Sequence, residues 1–222
     1  VMEDDNFVKP NLIDRQGYYP VYKNFKDKNE ECQYIADLIN KDLYKQYDLK
    51  DIVIIARLKN QLNEIKEILD KKHIKCSVFE NGKKDEFDFN ENSVKLVTMH
   101  SIKGLEFKVV IIAGLNKKVM PLIQAGNEAD DIELIESRER KLLYVGMTRA
   151  KEKLFITSDG MPSKFIKDID YRYLRLKNNC MMQRPVNISI EDYLLKESIP
   201  DMYSNEEKIR QWVLKELNDV YK

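Results

Sequence analysis

Asp51-Ile-Val-Ile-Ile-Ala56 contains the apolar run Ile52-Val53-Ile54-Ile55, every member of it β-branched. A strand with one wet face alternates apolar and polar residues; this one does not, so it reads as a strand buried on both faces of a parallel sheet. Helical spacing flanks it on both sides. Cys32, Ile35, Ala36, Ile39 and Leu43 predict an amphipathic helix from Asn29 to about Lys45, and Leu58, Leu62, Ile65, Ile68 and Leu69 predict a second. Further strands are predicted at Pro20–Phe25, Lys75–Phe79, Val94–Met99, Lys108–Ala113 and Leu154–Thr157, with a helix over Ile132–Met147. Asn81-Gly82 reads as a turn, Lys83–Asn92 as a polar loop carrying two Phe, and Gln124–Asp131 as an acidic loop. Alternating strands and helices make the expected fold α/β, a mainly parallel sheet flanked by helices, over residues 18–170.

On either side lie an N-terminal extension, 1–17, and a C-terminal extension, 171–222. In the latter, Ser204 and Glu207 form a capping box ahead of Ile209, Trp212, Val213, Leu217 and Val220, an amphipathic helix. The chain begins with Val1 and ends inside that helical pattern at Lys222, as expected of a piece of a longer protein.

Of 222 residues, 43% are hydrophobic, enough for a packed core and too many for a disordered tail. Lys+Arg and Asp+Glu both number 38, so bulk charge cannot attract nucleic acid; any such binding must come from local patches. Such patches exist. Lys95 to Lys118 carries five lysines against Glu106, and Arg140 to Lys153 five bases against Glu152. Between them Glu128 to Glu139 carries six acids against Arg138. No apolar run approaches the roughly 18 residues of a membrane span. Val1 to Asn6 holds no apolar secretory stretch, and Cys32, Cys76 and Cys180 form no CxxC pair, so reduced thiols and a cytoplasmic location are expected. His73 and His100 have no partner at metal-ligand spacing, and no metal site is expected.

No GxxxxGK[ST] phosphate loop occurs, so the chain does not cradle a nucleotide triphosphate alone in that manner. Two stretches stand out instead. Val97-Thr-Met-His-Ser-Ile-Lys-Gly-Leu-Glu-Phe107 sets Thr98, His100, Ser101 and Lys103 at the exit of a buried strand, where open α/β sheets bind ligands. These groups suit phosphate oxygens; Gly104 permits close backbone approach, and Glu106 can accept from a sugar hydroxyl. An ordinary polar turn is the alternative on spacing alone. Arg138-Glu-Arg-Lys-Leu-Leu-Tyr-Val-Gly-Met-Thr-Arg-Ala-Lys151 reads as a helix whose far end presents Arg149. An arginine at a domain edge can stabilise a phosphoryl group held by another domain, while a solvated helix face is the alternative for Arg140, the better reading for Lys141 and Lys151, and still open on spacing alone for Arg149.

These two stretches resemble motifs V and VI of the superfamily 1 helicases of the UvrD/Rep type. Thr98 to Phe107 matches T-x-H-x-x-K-G-L-E-F, and Glu139 to Ala150 matches E-R-R/K-L-L-Y-V-x-M-T-R-A. Asp51 to Arg57, with Gln61, resembles motif IV. The resemblance implies a RecA-like, P-loop-NTPase-type second lobe (2A) of an ATP-dependent DNA helicase or translocase. ATP would sit in the cleft against a missing N-terminal RecA-like lobe, which would hold most of the Mg²⁺ and ATP contacts. It implies Arg57 and Arg149 at the γ-phosphate, Glu106 at the ribose with Gly104 beside it, and Thr98, His100, Ser101 and Lys103 along single-stranded DNA. Arg140 and Tyr144 would support motif VI.

Departures from the pattern are specific. Ala56 stands where many relatives carry an adenine-stacking Tyr, and only 41 positions separate Arg57 from Thr98, too few for the large 2B insertion. The chain is therefore similar to a compact branch that includes RNA-polymerase-remodelling ATPases, which makes RNA polymerase an alternative partner. A weaker likeness of Tyr203–Leu217 to the opening helix of restriction-type nuclease domains offers a further alternative, a non-catalytic module leading into such a domain.

Overall fold

The computed structural model describes residues 18–79, 87–123, 128–169 and 174–176. The expected extensions 1–17 and most of 171–222, the Ser204 capping box and nuclease-like helix, the Asn81-Gly82 turn and Cys180 lie outside them.

Seven strands form one sheet: β1 (Val21–Phe25), β2 (Ile52–Ala56), β3 (Cys76–Val78), β4 (Val94–Thr98), β5 (Phe107–Ala113), β6 (Ala150–Asp159) and β7 (Arg175–Leu176), in the order β3-β4-β2-β5-β6-β1-β7. Every pairing is parallel. Helices α1 (Lys28–Asp37) and α2 (Lys59–Lys71) cover one face and α3 (Ala129–Met147) the other. β2 is buried at all five positions: Ile52, Ile54 and Ala56 join the core under α1 and α2, while Val53 and Ile55 join the core under α3. No helix among the described residues is long and apolar enough to cross a membrane.

Four elements differ from the sequence expectation, each for a physical reason. The first helix turns π-helical over Leu38–Leu43, with Tyr44 N–H donating to Ile39 C=O at 2.8 Å. Residues five apart diverge by about 140° in α geometry; the wider turn keeps both Leu38 and Leu43 buried. Helix α3 starts at Ala129 rather than Ile132, placing Asp131 in a first turn that favours negative charge. β6 starts at Ala150 rather than Leu154, because Ala150 and Lys153 pair with Phe107 and Val109 although the stretch is polar. Beyond the residue-170 boundary, Arg175–Leu176 adds β7 to the outer side of β1.

The expected polar loop before β4 is anchored from within. Lys95, fully buried on β4, donates to Asp88 C=O (2.7 Å), Glu91 C=O (3.0 Å) and Ser93 Oγ (3.0 Å). All three ammonium donors are thereby satisfied, which a buried lysine requires. Phe87 and Phe89 pack with Phe79, their ring centroids 4.7–5.9 Å apart.

At the end of β5 the backbone of Gly114 is clamped from both sides. Its N–H donates to Glu31 Oε1 at 2.8 Å, and its C=O accepts from Gln61 Nε2 at 3.0 Å. With φ at +66° and Gln61 Nε2 only 2.1 Å from where a Cβ would sit, the position demands glycine. Burial pushes the Glu31 carboxyl up to about 7, against hydrogen bonds from Thr157 and Gly114 that lower it. A folded-state value above the unfolded 4.5 means the folded chain holds this proton more tightly. The contribution is therefore full below about pH 4.5 and is lost as pH rises through about 7, worth about 3 kcal/mol. Glu31→Gln, which keeps an acceptor without the charge, should flatten this part of the stability–pH profile and raise stability at pH 8. Denaturant unfolding at pH 5 and pH 8 measures it; an unchanged slope between the two refutes the assignment.

Candidate functional site

In a parallel sheet all strands finish at one edge and start at the other. The register divides the sequence-predicted site residues between these two edges. Ala56, Thr98 and Ala113 lie side by side at the carboxyl edge, whereas Phe107 and Ala150 lie side by side at the amino edge. The seven residues from Phe107 to Ala113, six steps of strand rise, put about 20 Å between the edges.

At the carboxyl edge Thr98 closes β4. Ser101 N–H donates to Thr98 C=O (2.9 Å), the two hydroxyls share a hydrogen bond (2.9 Å), and Met99 N–H donates to Ala56 C=O (2.9 Å). Met99 and Ile102 sink into the core under α3, which forces His100 and Lys103 outward, where both are exposed. Thr98, His100 and Ser101 are thus brought together in one hydrogen-bonded turn. From there residues 99–106 run to the start of β5 as a strap across the sheet face. Gly104 permits a φ of +83°, and open space surrounds its Cα.

At the amino edge the strap delivers Glu106, which pairs with Lys151 at 3.4 Å. Lys151, expected to be merely solvated, is thus beside the candidate sugar-binding carboxylate. Arg149 follows the last turn of α3. Its C=O accepts from Phe107 N–H at 3.0 Å, Nε donates to Val145 C=O at 3.0 Å, and Nη2 donates to Thr148 Oγ1 at 3.1 Å. Thr148 Oγ1 in turn donates to Val145 C=O at 2.9 Å. A cation folded onto the carbonyl end of a helix is favoured by the helix dipole. Arg149 has no carboxylate partner among the described residues, so its guanidinium retains capacity for an anion.

Arg57 does not join Arg149. It leaves β2 at the carboxyl edge, and its Nε and Nη2 donate to the two carboxylate oxygens of Glu139 at 2.8 and 2.9 Å. The side chains are only 14% and 9% exposed. A fork so occupied, at the edge opposite Arg149, docks α3 onto the sheet. Gln61, quoted with the same motif, caps α2 by accepting from Leu58 N–H at 3.0 Å besides holding Gly114. Ala56 is wholly buried within the sheet and offers no stacking surface. Arg140 pairs with Asp168 at 2.8 Å and lies over the Phe165 ring, a supporting role, while Tyr144 is exposed.

Sequence reasoning missed Thr148 and the Glu31–Gly114–Gln61 clamp. Thr148 sits next to Arg149 in the quoted motif and could have been found from it. The clamp joins residues 31, 61 and 114, with no local signal.

Comparison with known proteins gives three findings. The family model described as the UvrD-like helicase C-terminal domain matches residues 8–83 and 79–159. The ATP-dependent DNA helicase PcrA of Staphylococcus aureus (strain Mu50 / ATCC 700699) is 45% identical over 96 residues, 38% of this chain and 13% of that protein. PcrA of Staphylococcus epidermidis (strain ATCC 12228) is 44% identical over the same shares. The match thus spans about an eighth of the length of these relatives. Among solved structures, the C-terminal domain of a possible DNA helicase from Lactobacillus plantarum WCFS1 superposes with a TM-score of 0.55 at 19% identity, covering 74% of this chain and 89% of that one. That likeness supports the RecA-like fold.

The Arg57–Glu139 assignment has a direct test. Arg57→Ala leaves a carboxylate buried and unpaired, so it should destabilise the fold by about 3–5 kcal/mol, whereas Arg57→Met with Glu139→Leu should recover most of the loss. Urea unfolding midpoints measure both. An Arg57→Ala chain as stable as the parent would refute this docking role.

Proposed function

The chain belongs to the UvrD-like helicase C-terminal domain family, and from that premise we propose that it is the second motor lobe of an ATP-dependent DNA helicase or translocase. The observation that carries the reading is the division of its motif residues between two edges of one sheet. The amino edge takes nucleotide: Arg149 reaches the γ-phosphate of ATP held by a partner lobe, and Glu106 exchanges Lys151 for a ribose hydroxyl, with Gly104 leaving room beside it. ATP brings the hydrolysable phosphoanhydride and, with it, Mg²⁺, whose protein ligands belong to the partner lobe. The carboxyl edge takes single-stranded DNA: the hydroxyls of Thr98 and Ser101, the His100 imidazole and the Lys103 ammonium face the sugar–phosphate backbone.

The division of labour follows from what these side chains do. Arg149 is permanently charged and planar, and its present partners are a neutral carbonyl and a hydroxyl, which a phosphate outcompetes. Its worth is greatest as charge develops on the transferring phosphoryl group, so it acts on turnover more than on ground-state affinity. Lys151 holds Glu106 as a surface pair, weak enough for the carboxylate to change partners. Closing and reopening the cleft between the lobes moves the whole sheet, and with it the DNA-facing turn.

In the complete two-lobe protein Arg149→Ala should lower kcat about a thousandfold or more while changing KM for ATP little. Steady-state hydrolysis with saturating single-stranded DNA measures it, and an unchanged kcat removes Arg149 from the site. The 222-residue chain alone should hydrolyse no ATP. DNA-stimulated turnover by the purified chain would overturn the assignment of the phosphate cradle to a partner lobe.

A further inference from the structure

The basic stretch from Lys95 to Lys118 is not one patch in three dimensions. Lys95 is buried, and Lys108 pairs with Asp51 at 2.8 Å. Lys103, Lys117 and Lys118 are exposed and have no carboxylate partner among the described residues. Lys117 and Lys118 occupy the loop leaving β5, at the same carboxyl edge as the turn of Thr98, His100 and Ser101.

That loop is built to hold its shape. Asn116 organises it: its C=O accepts from Val119 N–H (3.1 Å) and Met120 N–H (3.0 Å), and its Oδ1 accepts from Lys118 N–H (3.2 Å). Its Nδ2 donates to Asp159 Oδ1 (2.8 Å). Lys117 N–H donates to Met161 C=O (2.8 Å), Leu115 N–H to Thr157 C=O (2.9 Å) and Ser163 N–H to Leu115 C=O (2.9 Å). The backbone carrying the two lysines is thus fixed to β6 and the segment after it. Two acids bonded to this loop and to the β5 end are engaged there: Asp159 with Asn116, and Glu31 buried against Gly114. An immobile backbone presenting two solvated ammonium groups is a pre-organised anion contact, since little ordering remains to be done on binding.

We propose that the 115–120 loop is a second contact for the sugar–phosphate backbone of single-stranded DNA, Lys117 and Lys118 each neutralising a phosphate. β4 and β5 both flank β2, so their exits lie two strand spacings apart, about 10 Å. A strand of about four nucleotides, the short end of what such grooves hold, covers both. The DNA would pass from the Thr98–Ser101 turn across the end of β2 to this loop. ATP is not the ligand here, because Arg149 and Glu106 lie at the opposite edge. The inference rests on the proposed reading that DNA occupies the carboxyl edge, and its test separates the two.

The test is fluorescence anisotropy of a labelled 20-mer of thymidylate with the 222-residue chain, from 50 to 200 mM salt. The double variant Lys117→Ala/Lys118→Ala should bind about tenfold more weakly at 50 mM. Its log–log salt slope should be shallower by about 1.4, two phosphates at 0.7 each, so that the difference from the parent chain shrinks about sevenfold by 200 mM. Lys45→Ala/Lys71→Ala, exposed lysines away from this edge, should change neither quantity. If Thr98→Val/His100→Ala weakens binding and the Lys117/Lys118 pair leaves the slope intact, this inference fails and the carboxyl-edge reading stands. If the parent chain does not bind the oligonucleotide at 50 mM salt, both fail.

Discussion

The burial of β2 on both faces is the constraint from which the rest of the molecule follows. A five-residue strand with no wet side must be covered by helices above and below. Its neighbours β4 and β5 then run parallel to it, and each connection must return the chain from one sheet edge to the other. Two edges with different loops are thereby created: one where strands finish and backbone carbonyls and turns converge, one where helices finish and strands begin. The chemistry of the protein is distributed accordingly. Thr98, His100 and Ser101 belong to the first, Glu106 and Arg149 to the second.

How legible this was from sequence depended on how local the determining interaction is. The apolar runs of β2, β4 and β5 and the helical spacing of α1 and α2 are local, and the architecture could be read from them. The polar start of β6 could not, because Ala150 to Lys153 are held as strand by pairing with β5 rather than by their own hydropathy. The role of Arg57 was hidden for the same reason: its partner Glu139 is 82 residues away, and no spacing rule joins them. A motif-based reading gives Arg57 a ligand in the complete protein; the fold of this lobe also gives it a helix to hold. Charge sums along the chain misled in a similar way. Lysines at 95, 103, 108, 117 and 118 add up in sequence, yet one is enclosed by carbonyls, one is neutralised by Asp51, and three are left facing solvent.

The site residues that were legible share a property. Thr98 to Phe107 and Glu139 to Ala150 are continuous stretches, so their order is their signature. What sequence could not supply is the direction in which each stretch runs through the structure. Both cross the sheet between its edges: the strap 99–106 begins at Thr98 beside Ala56 and ends at Glu106 beside Lys151, and α3 starts from the β5 exit side and ends at Arg149. The Arg57–Glu139 pair ties the second of these spans to the end of β2, and Met99 and Ile102 seat the first in the same core that receives Leu143.

Those two spans join the two edges, about 20 Å apart, through packed segments of one core. Met99 and Ile102, both buried, seat the strap in that core. The strap carries Glu106, paired with Lys151, at one end and the hydrogen-bonded turn of Thr98 and Ser101 at the other. The sheet, α3 and the strap share that core, so a displacement of one is resisted by the packing of the others.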